Sequence, residues 1–420
     1  MKKYKLGDCL SMIKNGAIIK QAKGAKGYPI TRIETLSNNF FNRDRLGYAD
    51  IFDITPYKDY ILESGDLIMS HINSRQFLGR TVLYNKLKDE IIIHGMNVLR
   101  IKTCPELLDP IYAYYLFKTE YFRKNIDNIR KDAINQSSIS ISDINNIILE
   151  LPVISLQKST VSILSSIDRK IELNRSINHN LEAMAKQLYD YWFLQFDFPD
   201  ENGKPYKSSG GKMIWNKKLK REIPEGWEVD NICKIAHILS GGTPSKTVFR
   251  YWKNGIIPFF SPTDCNGNIF QIETADHITQ EGLEHCASSL FDEGTIFITA
   301  RGSIGKLVIV GSPMAMNQSC YALLSKKDEY QYLYFLTFQL IECLKIKGSG
   351  SVFKSITISD IEKSLLCIAN NEIITAFCKL VSPSLQKIKN NLIEIKQLTK
   401  LRDSLLPLLM NGQASPQNCD

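Results

Sequence analysis

Ser138-Ile139-Ser140-Ile141-Ser142-Asp143-Ile144 returns about half a chain later as Ser355-Ile356-Thr357-Ile358-Ser359-Asp360-Ile361. Each copy runs straight into a long amphipathic helical pattern. A chain that spells one stretch twice, each time ahead of a long helix, carries out one task at two places. Working outward, further matches keep the same order in both halves. Tyr4-Lys5-Leu6 answers to Trp227-Glu228-Val229, and Gly65 to Ser70 answers to Gly294 to Thr299. Gly79-Arg80 answers to Gly305-Lys306, Met96-Asn97 to Met316-Asn317, and the aromatic stretch 112–117 to 330–338. Each match is weak alone, and their shared order argues for duplication.

The bulk properties agree with a folded, multi-domain chain. Its 420 residues suggest two or more domains, and 44% hydrophobic residues are ample for cores. No run of eighteen apolar residues and no charged-then-apolar leader stands in the sequence, which argues against a membrane span or signal peptide. The ten cysteines are scattered without a CxxC pair, so free thiols in a reducing cytoplasm are expected. The formal net charge of +8 is modest. It concentrates between Gly203 and Arg221, where seven Lys or Arg occur with no acid, a clustering that suits a nucleic-acid partner.

Within each half, short apolar runs such as Thr81-Val82-Leu83, Ile91-Ile92-Ile93 and 307–310 predict strands. An aromatic helical stretch and then the long helix follow. In the first helix Ile163, Ile167, Ile171, Asn174, Ile177, Leu181, Met184 and Leu188 step by three and four. Ile388, Leu392, Ile395, Leu398, Leu401 and Leu405 do so in the second. Narrow apolar stripes of this kind predict a mutual coiled coil. The first helix, about 39 residues from Gln157 to Gln195, would span roughly 58 Å. Packed antiparallel, two such helices would hold two domains apart about a pseudo-two-fold axis, matching the two-fold symmetry of a DNA backbone.

The second half also carries Gly241-Gly242-Thr243-Pro244-Ser245, Tyr251-Trp252, Ile257-Pro258, Gly294-Thr295, Arg301-Gly302-Ser303-Ile304-Gly305-Lys306, Asn317-Gln318 and Gly348-Ser349. The centre carries Leu181-Glu182-Ala183-Met184-Ala185, Tyr191-Trp192-Phe193 and Ile223-Pro224-Glu225-Gly226-Trp227. In this order, across essentially the whole chain, these segments resemble the specificity subunits of type I DNA restriction–modification systems. The first half departs by lacking the Gly-Gly-Thr-Pro-Ser opening.

The resemblance implies an α+β fold. Two pseudo-two-fold related target-recognition domains would be separated by two long antiparallel coiled-coil helices. The expected division is a first target-recognition domain (1–152), a first long helix (153–198), a basic linker (199–226), a second target-recognition domain (227–368), a second long helix (369–412) and a flexible tail (413–420). Each domain would read one half of a bipartite site in double-stranded DNA. The helices would dock two modification subunits that methylate adenine N6, and two restriction subunits would join them. The chain itself would be non-catalytic and cytoplasmic, in a bacterium or archaeon. S-adenosylmethionine, ATP and Mg would belong to the partners. Docking would fall to Ile163, Ile167, Ile171, Leu181, Met184, Ile388, Leu392, Ile395, Leu398 and Leu401.

Reading DNA needs phosphate contacts for position and base-edge contacts for identity, with Arg and Lys suited to guanine and Asn and Gln to adenine. The candidates in the first domain are Lys23, Lys26, Arg32, Arg43, Arg45, Asn73, Arg75, Arg80 and Gln136. In the second they are Thr243, Ser245, Lys246, Arg250, Tyr251, Arg301, Ser303, Lys306, Lys347, Ser349 and Lys354. Neighbouring glycines, Gly241 and Gly242 among them, would let the backbone approach phosphate. Such side chains also serve as solvated surface in any protein. Asn317-Gln318 suits buried hydrogen bonding as well as base contact, and Tyr251-Trp252 suits a core as well as a stacking platform. The 203–221 segment suits DNA backbone, a modification subunit or plain solvent.

Signatures of catalysis are missing from the sequence. It holds no Asn/Asp-Pro-Pro-aromatic tetrad. Gly302 to Lys306 lacks the spacing of a phosphate loop, and Leu307 stands where a magnesium-binding hydroxyl belongs. His277, His285 and Cys286 lack a fourth ligand. Glu394-Ile395-Lys396 lies within the helix stripe. The competing reading is a coiled-coil adaptor joining two proteins without touching DNA. It predicts similar loops in both halves, whereas the polar loops diverge. A recognition subunit serving one fused partner would share the fold.

Overall fold

The computed structural model describes residues 1–21, 26–134, 136–348 and 355–414. The chain separates into two units, Met1–Arg169 with the chain from Leu398 onward, and Lys170–Gln397.

Each unit is built on a mainly antiparallel sheet, and the duplication is visible in the strand order. The first unit runs Leu10–Asn15, Val98–Thr103, Leu67–Ser70, Thr81–Leu83. The second runs Ala236–Ser240, Cys320–Ser325, Ile296–Thr299, Leu307–Val310, with Phe270–Gln271 added in parallel at its edge. The inner strands read as continuous apolar runs because both sheet faces are covered. Leu67 and Met69 pack with Tyr112, Ala113 and Leu116 of the helix Pro110–Leu116, while Ile68 faces Val82, Tyr84 and Phe41. In the second unit Ile296 and Ile298 meet Leu333, Leu336 and Leu340 of the helix Tyr330–Gly348, and Phe297 faces Phe260 and Phe291. Ile91-Ile92-Ile93 forms no strand of its own. Ile93 makes single bridges to Ile30 and Ile61, and Ile92 and Ile93 are buried.

The repeated stretch is a helix start. The Ser140 hydroxyl accepts from Asp143 N at 3.1 Å and caps Ile141–Asn145. Thr357 and Asp360 form a full capping box ahead of Ile358–Glu362. A strand then pairs back to the beginning of its own repeat, Ile148–Leu151 with Lys2–Lys5 and Leu366–Ile368 with Glu228–Asp230. Each repeat thus closes on itself before its long helix begins.

The long helices are Ile154–Tyr189, continued by a π-helical turn Asp190–Leu194, and Asn371–Met410. Gln157 fastens the first to its domain: its side-chain oxygen accepts from Asp109 N at 3.0 Å, and its amide donates to Leu107 O and Pro152 O, both at 2.9 Å. The helices carry a 3–4 periodic buried seam. In the second unit it holds Ile171, Asn174, Asn178 and Ala185 on one helix and Val381, Leu385, Ile388 and Asn391 on the other. Asn178 meets Asn391 and Asn174 meets Glu394, so the strands of the seam run antiparallel. In the first unit Leu164 is buried in the same cluster as Leu409 and Met410, and Arg402 Nη1 lies 2.8 Å from Asp168 Oδ1.

The basic segment expected as a linker is folded. Met213–Asn216 and Arg221–Pro224 form an antiparallel hairpin. Phe198 stacks on Tyr206 at 4.6 Å and on Trp227 at 5.2 Å. Phe196, Phe198, Ile223 and Trp227 are buried in the core of the second unit. The lysines masked this pattern: the apolar residues that bury the segment are spaced too irregularly to read as an element.

Candidate nucleic-acid interface

In the second unit three connections leave the sheet at the same end. Ser240 pairs with Tyr321 and Thr299 with Cys320. The chain beyond Ser240, the 300–306 turn and the 317–319 turn therefore lie together. The backbone amides of Ala300 and Arg301 donate to Ser319 O at 2.8 and 3.3 Å, and Thr243 Oγ1 donates to the Gln318 side-chain oxygen. Ile356 N donates to Ala300 O at 3.0 Å, bringing the return from the aromatic helix to the same place. Arg301, Ser303 and Gln318 are exposed around the half-buried Thr243, and Arg301 makes no ion pair among the described residues. An unpaired guanidinium beside an exposed amide can grip a phosphate or read a base edge.

The glycines at this end approach protein rather than leave room for a ligand. A Cβ on Gly241 would fall 2.2 Å from Asn317 O, and one on Gly242 2.6 Å from Ala287 N. Gly302 differs, at φ +77° with open space around it.

Other candidates in this domain divide by their partners. Ser245 and Lys246 are exposed, with the Lys246 ammonium 5.6 Å from the Trp252 ring centroid. Arg250 is held by Glu281 at 2.8 Å. Tyr251 is buried and stacked on His285 at 5.2 Å, so its ring belongs to the packing and not to an open stacking platform. Lys306 donates to Cys265 O at 3.2 Å. The Lys347 side chain, Ser349 and Lys354 lie outside the described residues. Gln318, which the sequence left open, is the residue the loops bring forward, while Asn317 turns its oxygen to Ser319 N at 3.0 Å. The signal was available in the repeat: Met96-Asn97 and Met316-Asn317 each precede a central strand.

In the first unit the corresponding connection, 71–80, folds against the strand Ser137–Ser138, which pairs with Ile72–Asn73. Asn73, Arg75, Arg80 and Gln136 come together here. Asn73 accepts from Ser74 N at 2.7 Å and donates to Ser70 Oγ at 3.1 Å, shaping the turn. Arg75 and Gln136 are exposed. Arg80 lies over Phe77 at 4.4 Å with no carboxylate partner among the described residues, and burial pulls its pKa down.

Arg43 belongs elsewhere. Its Nε lies 2.9 Å and its Nη2 2.6 Å from the two oxygens of Glu90, and it covers Phe41 and Tyr84. The Arg43 hydrogen bond holds the Glu90 carboxyl down at about 2. This fork-on-fork pair commits Nε and Nη2 to Glu90 and to Asn85 O and locks a loop. Arg32 donates to Gln21 at 2.5 Å. Lys26 and Arg45 are exposed, and Lys23 lies outside the described residues.

The docking stripe is also redistributed. Ile167, Ile171 and Ile388 are buried within the chain, and Ile163, Leu181, Leu392, Ile395 and Leu398 are half-buried. Met184 is 61% and Leu401 49% exposed. A period of three and four marks a seam, but several neighbouring stripes satisfy it, and burial selects the one through Leu164, Ile167, Ile171 and Asn178. Among the described residues no group of three His, Cys, Asp or Glu is placed to hold a metal, and every described cysteine is free. No described helix is long and apolar enough to cross a membrane.

Comparison with known proteins agrees with this arrangement. The model of the type I restriction modification DNA specificity domain matches residues 1–183 and 224–394, once per repeat. The chain belongs to the family of type I restriction–modification specificity subunits. A Methanocaldococcus jannaschii protein bearing the name MjaX specificity subunit is 31% identical over 97% of this chain and 92% of its own. The HindI specificity subunit of Haemophilus influenzae is 23% identical over 98% of this chain and 99% of its own. In fold, the chain is similar to the S subunit of M. genitalium, at a TM-score of 0.58 and 16% identity, covering 97% of this chain and 95% of that one. As a specificity subunit the chain supplies sequence-specific DNA recognition to a restriction–modification complex and is itself non-catalytic. It acts with DNA and with the other subunits of such a complex.

Proposed function

We propose that each repeat reads one half of a split DNA site through the loops at the shared end of its sheet. The carrying observation is the second-domain cluster, in which Thr243, Arg301 and Gln318 leave three different strands and meet. In the first domain Asn73, Arg75, Arg80 and Gln136 take the same part. The equivalent connections 71–80 and 300–306 share Gly-Arg or Gly-Lys at their ends and differ in the side chains between, which suits two different half-sites. They speak against an adaptor that binds two like partners.

The remaining roles follow the family. The long helices dock two modification subunits through their exposed flanks, at Met184 and Leu401 among others, and not through the buried seam. The modification subunits bring S-adenosylmethionine to adenine N6, and two restriction subunits bring ATP and Mg. The complex works in the cytoplasm. Mapping methylated adenine across the genome, with and without this chain, tests the reading. Loss of methylation at one split motif with a fixed spacer is expected. An unchanged methylation pattern in cells that express the modification subunits overturns it.

A further inference from the structure

We infer that the lysine-rich hairpin following the first long helix docks an acidic stretch of a modification subunit. This rests on the partner reading above. The hairpin is fixed in place. Asn216 Oδ1 accepts from Lys218 N at 2.9 Å and Leu219 N at 3.1 Å, closing the turn. Met213 and Leu219 pack on the core, and the Arg221 guanidinium lies 5.1 Å from the Phe196 ring centroid. On this rigid support Trp215 is 61% exposed and Ile214 stands out beside it. Lys217, Lys218 and Lys220 are exposed, and none makes an ion pair among the described residues, whereas Lys212 is taken by Glu225 at 2.6 Å.

The exposed indole is the apolar part of this patch and the three hydrated ammonium groups are its charged part. An acidic surface with an apolar neighbour would match both. Tryptophan is enriched among interface anchors, with charged side chains at the rim; across the hairpin Trp215 pairs with Glu222. DNA seated on the reading loops is the competing occupant, and the hairpin stands away from those loops. Asn216, Lys217 and Lys218 line one cleft with Glu228 and Val229, on the strand that leads into Ala236. The reading loops leave the sheet beyond Ser240 and Thr299. Between the two ends lies a five-residue strand, Ala236–Ser240, roughly 17 Å long. A duplex would meet the lysines with phosphates, while an acidic protein segment offers them carboxylates together with an apolar side-chain surface for Trp215.

The test uses the full chain and the purified modification subunits of its own system, with assembly measured at graded salt. Two variants are compared with the wild type, Trp215→Ala and the triple Lys217→Gln, Lys218→Gln, Lys220→Gln. All four side chains are exposed, so the fold is retained. Each variant is expected to assemble about tenfold more weakly, and the lysine variant to lose most of its salt dependence, with DNA affinity of the chain unchanged. Assembly equal to the wild type in both overturns the inference. So does a lysine variant that assembles normally but whose DNA-binding salt slope falls by about one per lysine, since the patch would then hold phosphate. If the wild type itself fails to assemble with the modification subunits, the partner reading falls as well.

Discussion

Asn391 Nδ2 donates to Asn178 Oδ1 at 2.8 Å within the buried seam of the long helices. Asn178 reaches on to Ile388 O at 3.4 Å, and one turn away Asn174 donates to Glu394 at 2.8 Å. A buried amide pair fixes register because any slip leaves both groups without partners. Asn391→Leu alone strands Asn178 and is expected to cost about 1–3 kcal/mol. Joining it with Asn178→Leu should recover most of that loss. Denaturant unfolding of the three variants measures the coupling, and additive losses would mean that the amides do not act together.

Two arginines that look alike in the sequence should separate by experiment. Arg43→Gln breaks the fork with Glu90 and is expected to destabilise the first domain by about 2 kcal/mol. Arg80→Gln should leave the unfolding midpoint near the wild type and weaken binding to the first half-site. Equal stability losses would return Arg80 to a structural role.

Glu90 gives the first domain an acid sensitivity. Its carboxyl is depressed from 4.5 to about 2 in the folded chain by the Arg43 hydrogen bond. The unfolded chain therefore takes up that proton first as the pH falls. The contribution is whole above about 4.5 and is lost progressively as the pH approaches about 2. Glu90→Gln should flatten the fall in unfolding free energy across that window, and an unchanged slope would place the sensitivity elsewhere.

Arg301→Ala and Gln318→Ala should each weaken recognition of the second half-site while the first is read normally. A bidentate base contact contributes about 1–3 kcal/mol of discrimination. Methylation of sites mutated in one half at a time measures this, and equal loss at both halves would defeat the modular reading.

Charged substitutions on the helices should divide by burial. Ile171→Asp places a carboxylate in the seam and should unfold the helix pair before docking is tested. Met184→Glu, on the open flank, should keep the unfolding midpoint and reduce assembly with modification subunits. Normal assembly of the Met184 variant would move the docking face elsewhere.

What was legible in the sequence followed from repetition. The Ser-Ile-Ser stretch reads as running straight into the long helix; instead it caps a short helix in each repeat, Thr357 with Asp360 in the second, and a strand intervenes before the long helix. Ile167 and Ile171 were readable as seam residues because burial repeats every three or four positions. Ile163 and Met184 fit the same count, and only packing separates them from Leu164 and Ala185. Arg43 was misplaced for a related reason: its acid, Glu90, stands far along the chain, and no local spacing announces the pair. The fold of 199–226 was hidden because its anchors, Phe198 and Trp227, meet across the segment and not along it.

That last contact tells anyone building hybrids where to cut. An exchange of the second half that begins at Trp227 would take from Phe198 one of the two rings it stacks on and transplant that ring without its bed. The natural seam for grafting lies upstream, within the first long helix, where the register held by Asn174 and Asn178 against Glu394 and Asn391 is what has to be matched. A donor half taken with its own hairpin would arrive with its stacking intact and change the address that is read without disturbing the frame that carries it.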